Sequence, residues 1–142
     1  MKTLARRMTI AAAALMASTS LVWGASAKAD VPFAFRTAHT MMAPGTYRVS
    51  LLYRGGGAVV KFENLSAKTA AVEMSNVPVA PARAMMDNSN PKLFFECGLG
   101  RCYLREVWMG LGPAYRFARP QLGRDEQVRV LIIPLLKTTN AD

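Results

Sequence analysis

Residues 45–64 read GTYRVSLLYRGGGAVVKFEN, and the fold turns on this stretch. Tyr47, Val49, Leu51 and Tyr53 alternate with Thr46, Arg48 and Ser50. After a break at Gly55-Gly56-Gly57, Val60 and Phe62 alternate with Lys61 and Glu63. A two-residue period puts successive side chains on opposite faces of an extended strand, whereas an amphipathic helix repeats every three to four residues.

The same pattern continues outward in both directions. Upstream, Ala43-Pro44-Gly45 is a turn signal, and Val31, Phe33 and Phe35 alternate around Pro32, which suits a first or edge strand. Downstream, Asn64-Leu65-Ser66 turns the chain and is also a formal glycosylation sequon. Ala70, Val72 and Met74 then alternate with Thr69, Ala71 and Glu73. Residues 76–91, with Pro78, Pro81, Pro91 and three Asn, predict a loop from which Met85 and Met86 pack down. Lys92 to Cys97 and Cys102 to Met109 read as hairpin arms around Gly98-Leu99-Gly100-Arg101. Residues 110–124 read as a second loop, and Gln127 to Leu136 as a closing strand with Val128, Val130 and Ile132 on one face. Six to eight short strands predict an all-β domain, an antiparallel sandwich or barrel.

Composition bounds the rest. The chain has 142 residues, 51% of them hydrophobic and 19% charged, which suits one domain and is too apolar for a disordered tail. Residues 1–29 have the three parts of a secretory signal: Lys2, Arg6 and Arg7, an apolar stretch from Met8 to Val22, and two A-x-A sites ending at Ala27 and Ala29. A cut after Ala29 is favoured, leaving residues 30–142 as the single β domain. An uncleaved anchor would need about 20 apolar residues, more than this stretch offers. The Arg6-Arg7 pair also admits a twin-arginine signal, although the general secretory route is favoured. No spanning segment follows, and the destination is the periplasm or the exterior. Removing Lys2, Arg6, Arg7 and Lys28 leaves 14 basic residues of the original 18 against 9 acidic ones, a net +5. That charge is ordinary for a soluble domain and does not call for a nucleic-acid partner.

Cys97 and Cys102 face each other across the predicted turn, roughly 4.5–5.5 Å apart at Cα, within disulfide reach. An exported chain meets an oxidising compartment, so a bridge is expected rather than a C-x4-C metal or redox pair. Closing so short a loop stabilises by only about 2 kcal/mol; its main effect is to fix register. His39, Met41, Met42, Met85 and Met86 offer soft copper ligands, but methionine is also the common filler of irregular apolar gaps, and no metal or cofactor is assigned. From Cys97 to Arg124, Arg101, Arg105, Arg116, Arg119 and Arg124 face the single acid Glu106, interleaved with Tyr103, Trp108, Tyr115 and Phe117. Guanidinium forks suit phosphate or carboxylate, and aromatic faces suit sugar rings. Arg101, Arg105, Trp108, Tyr115, Arg116 and Arg119 are therefore the candidate ligand site, unless their stems merely cover a solvated edge. No nucleophile elbow, zincin helix or phosphate loop occurs, and Asp125-Glu126 is an adjacent pair whose side chains point apart on a strand. No catalytic residue is assigned.

Val31-Pro32-Phe33-Ala34-Phe35 and Pro44-Gly45-Thr46-Tyr47-Arg48-Val49 resemble the V-P-F-x-F and P-A-G-x-Y-x-V motifs of small exported bacterial β-rich proteins of unknown function. Leu93-Phe94-Phe95 and Cys102-Tyr103-Leu104-Arg105-Glu106-Val107-Trp108 are the counterparts of their later L-x-F and Y-F-L-x-x-V-W segments. The resemblance covers residues 31–109 and departs at Ala43-Pro44-Gly45, where the group has Pro-Ala-Gly, and in its two Cys. It implies export and a β-rich fold, and it carries no activity. The expected protein is non-enzymatic: an envelope-associated module binding an anionic polymer or lipid head group. The alternative is an assembly subunit pairing through an edge strand, Val31–Phe35 or Gln127–Leu136.

Overall fold

A computed structural model of the chain describes residues 25–86, 90–120 and 127–137. The basic and apolar parts of the expected export signal, residues 2–22, lie outside them, as do Arg124 and Asp125-Glu126. The strands are β1 (Ala25–Val31), β2 (Phe35–Arg36), β3 (Met41–Met42), β4 (Gly45–Arg54), β5 (Gly57–Asn64) and β6 (Thr69–Ser75). They continue with β7 (Pro78–Val79), β8 (Lys92–Gly98), β9 (Arg101–Trp108), β10 (Ala114–Arg116), β11 (Arg129–Pro134) and β12 (Leu136–Lys137). The only helical element among the described residues is a 3-10 turn, Arg83–Met85.

Two sheets face each other, which makes the fold a β-sandwich. The first runs β12-β1-β4-β5-β6, the second β11-β8-β9-β10-β7 with β2 against β9 and β3 against β2. Pairing is antiparallel except between β2 and β9, which meet in parallel at Arg36 and Tyr103. Tyr47, Val49, Leu51, Val60 and Phe62 are fully buried from the first sheet, and Leu93, Phe95 and Val107 from the second. Phe35 ties the layers together, its ring 5.3 Å from Tyr47 and 5.1 Å from Phe95 in the edge-to-face geometry that aromatic quadrupoles favour.

Several expected elements divide where the chain changes sheets. Val31–Phe35 is not one strand. Val31 and Phe35 are buried and Phe33 packs on the core, so the alternation is real. Pro32 has no N–H for the ladder, and the chain leaves the first sheet there and joins the second at Phe35. Gln127–Leu136 divides in the same way: β11 edges the second sheet, buried Leu135 crosses the layers, and β12 edges the first. The two predicted loops contain the short strands β7 and β10. Met85 is buried, as expected, but Met86 is 49% exposed.

In β6 the apolar set faces outward. The β5–β6 register pairs Phe62 with Ala71 and Val60 with Glu73, and directly opposed residues share a face. Ala71, Glu73 and Ser75 therefore turn inward, while Val72 and Met74 are 56% and 69% exposed.

Two polar anchors complete the frame. Asn64, 1% exposed, holds the lower end of the first sheet. Its Oδ1 accepts the N–H groups of Ser66 and Ala67, and its Nδ2 donates to the Tyr47 hydroxyl. The sequon asparagine is thus a structural residue with a fully engaged amide. Gly45 passes so close that an added Cβ would lie 2.7 Å from Asn64 Oδ1, which excludes any side chain there. On the second sheet's outer face, Met85, Trp108 and Ala114 form a smaller apolar cluster, with Val79 and Ala82 packed against it. Buried Lys92 pins it, donating to the Met85 and Asn90 carbonyls with its ammonium 5.5 Å from the Trp108 ring centre.

Candidate functional site

The β8–β9 hairpin carries most of the candidate residues. Gly98 pairs with Arg101, so the turn is the two-residue Leu99-Gly100. Both have positive φ, 50° and 72°, the primed turn whose twist matches that of paired strands. Cys97 and Cys102 are opposed one pair further in and joined by a disulfide, with Cα atoms 4.0 Å apart.

The arginines of this region fall into two groups. Phe94 faces Glu106 and Phe95 faces Leu104, so Arg105 is the extra residue of a bulge. The Phe117 N–H donates to the Arg105 carbonyl, and the Arg105 guanidinium donates back to the Phe117 carbonyl. Arg105 also lies 3.7 Å from Glu96, whose other oxygen contacts Arg119 directly. Arg116 donates twice to one oxygen of buried Glu106, at 3.0 and 2.7 Å. Burial pushes the Arg105 guanidinium below its ordinary value; Glu96 opposes the shift, and neighbouring Arg119 and Arg116 add to it. Three of the four candidate arginines are thus held by Glu96 and Glu106. Glu96 was missed because it precedes the arginine-rich stretch and arrives only through cross-strand pairing.

The candidate aromatics are buried, Tyr115 in the core between the sheets and Trp108 in the outer cluster. Trp108 is 5% exposed and donates its indole N–H to the Gly112 carbonyl; Tyr115 is 6% exposed, its ring 5.8 Å from Tyr53. They belong to the packing and present no open face for stacking.

The second arginine group lies at the hairpin tip. Arg101 closes the turn, Arg129 is paired opposite Cys97, and Arg36 is paired beside Tyr103. All three are exposed, and none makes an ion pair among the described residues. Two hollows flank the tip. One of about 560 Å³ is lined by Cys97, Leu99, Gly100, Val128 and Arg129 among others. The other, about 100 Å³, includes Ala34, Arg36, Met41, Gly100 and Arg101. Composition alone offers no signal for Arg36 and Arg129, since strand pairing assembles this group from three distant segments.

His39 has a partner that sequence reading did not supply. Its Nδ1 lies 2.8 Å from Oε2 of Glu73, whose Oε1 accepts the Thr37 hydroxyl at 2.5 Å. The methionines are dispersed: Met42 belongs to the main core, Met85 to the smaller cluster, and Met41 and Met86 are exposed. Among the described residues no group of three or more His, Cys, Asp or Glu is placed to hold a metal, and no helix is long and apolar enough to cross a membrane. No family model matches this chain, and no similar protein was found among the curated proteins or the solved structures.

Proposed function

We propose that this chain is an exported, non-enzymatic binding module whose hairpin tip takes an anionic ligand or surface. One observation carries the reading: Arg36, Arg101 and Arg129 stand exposed around two hollows with no acidic partner among the described residues. Guanidinium groups left without carboxylates are free to fork onto phosphate or carboxylate groups of a ligand. Arg105, Arg116 and Arg119 are already engaged by Glu96 and Glu106 and serve the fold. The Arg36→Ala/Arg101→Ala/Arg129→Ala chain is expected to leave a heparin column at distinctly lower salt than the wild type. Arg119→Ala, which breaks the contact with Glu96, should move the elution less and the melting temperature more. The reverse ranking would remove the tip from the binding surface.

The signal-like residues 1–29 and the disulfide support export. The favoured cut after Ala29 falls inside β1, whose seven residues pair one by one with β4. Ala27 and Lys28 are the residues that pair with β12. A cut after Ala27 also falls inside β1 and removes buried Ala27, but it keeps Lys28 opposite Leu136 and retains buried Ala29, so the exported chain is expected to begin at Lys28. Intact-mass measurement of material recovered outside the cytoplasm checks this; a first residue of Asp30 would show that β12 holds without Ala27 and Lys28.

Assembly through an edge strand has one specific observation in its favour. Among the described residues β6 ends the first sheet with an unpaired edge and exposed Val72 and Met74. Of the segments expected for this role, Val31–Phe35 is not a free edge, whereas β11 and β12 do lie at sheet edges. Mass that rises with concentration, together with heparin elution unaffected by the three arginines, would favour assembly over binding.

A further inference from the structure

Leu99 occupies a position where the fold has no use for leucine. Positive φ at both turn residues favours Asn-Gly or Gly-Gly, because a branched side chain in the left-handed region crowds its own backbone. Burial does not compensate, since Leu99 is 79% exposed at the apex. A side chain that helps neither the turn nor the core points to a partner outside the molecule.

The surroundings define that partner. Met41 and Val128, 58% and 43% exposed, line the two hollows beside the turn and flank Leu99 as apolar shoulders. Arg101, Arg129 and Arg36 stand two to four residues behind the apex along the strands, about 7–14 Å at about 3.4 Å per residue. An apolar point backed on both faces of the sheet by cations that have no acidic partner among the described residues is complementary to the edge of an anionic bilayer. There the acyl boundary lies about 5–10 Å below the phosphates. Leu111 is still more exposed, at 84%, but it follows the far end of β9, so one flat surface cannot seat both leucines.

Resting on the anionic-ligand reading above, we propose that the β8–β9 tip is a lipid-docking wedge: Leu99 enters the acyl boundary while Arg36, Arg101 and Arg129 take phosphate groups of acidic lipids. A soluble polyanion offers the charges but no apolar layer, and this difference separates the two ideas.

The test uses the purified chain with phosphatidylcholine vesicles, with and without phosphatidylglycerol, alongside the heparin column. Wild-type protein should sediment with the acidic vesicles and not with the neutral ones. Leu99→Asn suits the turn and is expected to fold at least as stably, so loss of binding cannot be blamed on misfolding. It should weaken acidic-vesicle binding about tenfold or more and leave heparin elution unchanged. The triple arginine variant should lose both. Leu99→Asn that sediments like the wild type overturns the wedge. So does a wild-type chain that binds heparin but no vesicle, an outcome that leaves the anionic-ligand reading standing. Failure on both supports ends both.

Discussion

Asn64→Ala is expected to lower the unfolding free energy by about 3 kcal/mol, read as a fall in the urea midpoint at unchanged slope. The deleted amide works on both its atoms. Oδ1 holds two backbone N–H groups of the β5–β6 turn, at 3.0 and 2.9 Å, while Nδ2 reaches the Tyr47 hydroxyl at 3.1 Å and the Ala43 carbonyl at 3.3 Å. Removing it strands buried groups that water replaces poorly, which costs more than the bonds themselves contributed. Asn64→Asp should be no milder, since it turns a donor into an acceptor facing carbonyl oxygens. A second readout separates loss of these bonds from general loosening. Burial raises the Tyr47 phenol above its ordinary value, and the hydrogen bond from Asn64 partly offsets that shift. If the fold stays closed in Asn64→Ala, the phenol titrates at still higher pH; if the end of the sheet opens, it returns toward its ordinary value. A loss below about 1 kcal/mol would mean that the turn holds itself.

What was legible in the sequence follows from which forces are local. The period of two in β4 and β5 is written in consecutive residues, so Tyr47, Val49, Leu51, Val60 and Phe62 were legible as one buried face. The disulfide was legible because six consecutive residues contain the whole hairpin turn. Facing was not legible in β6, where Val72 and Met74 are more apolar than the Glu73 that displaces them. Its register is set by the preceding turn and by two residues more than thirty positions upstream. For the same reason the arginines were legible as a cluster but not as two groups. Whether a guanidinium is spent on Glu96 or left open depends on pairings between strands far apart in the chain.

Thr37→Val is expected to destabilise more than Glu73→Gln, although the first is nearly isosteric and the second removes a charge. Glu73 is 2% exposed, and its carboxylate rests on the Thr37 hydroxyl and on His39, whose side chain is 82% exposed. The solvated imidazole contributes less than about 1 kcal/mol, so His39→Ala should be mild. Deleting the hydroxyl leaves a buried charge short of its principal donor, at a cost of about 2–3 kcal/mol. Glu73→Gln keeps an acceptor for Thr37 without the charge, and about 1 kcal/mol is expected. The decisive variant is the double Thr37→Val/Glu73→Met, which puts apolar groups on both sides and should recover much of the single loss. Strict additivity would show that the hydroxyl acts through the Thr40 N–H it accepts at 3.1 Å and not through the carboxylate. The contact also reaches the proposed binding surface. Thr37 and His39 lie in the β2–β3 hairpin, which carries Arg36 and Met41, and Glu73 fastens that hairpin to the opposite sheet. Once unfastened, it no longer presents Arg36 at the β8–β9 tip. Thr37→Val should therefore elute from heparin earlier than wild type, and the double variant, with the hairpin seated again, should elute later than the single one.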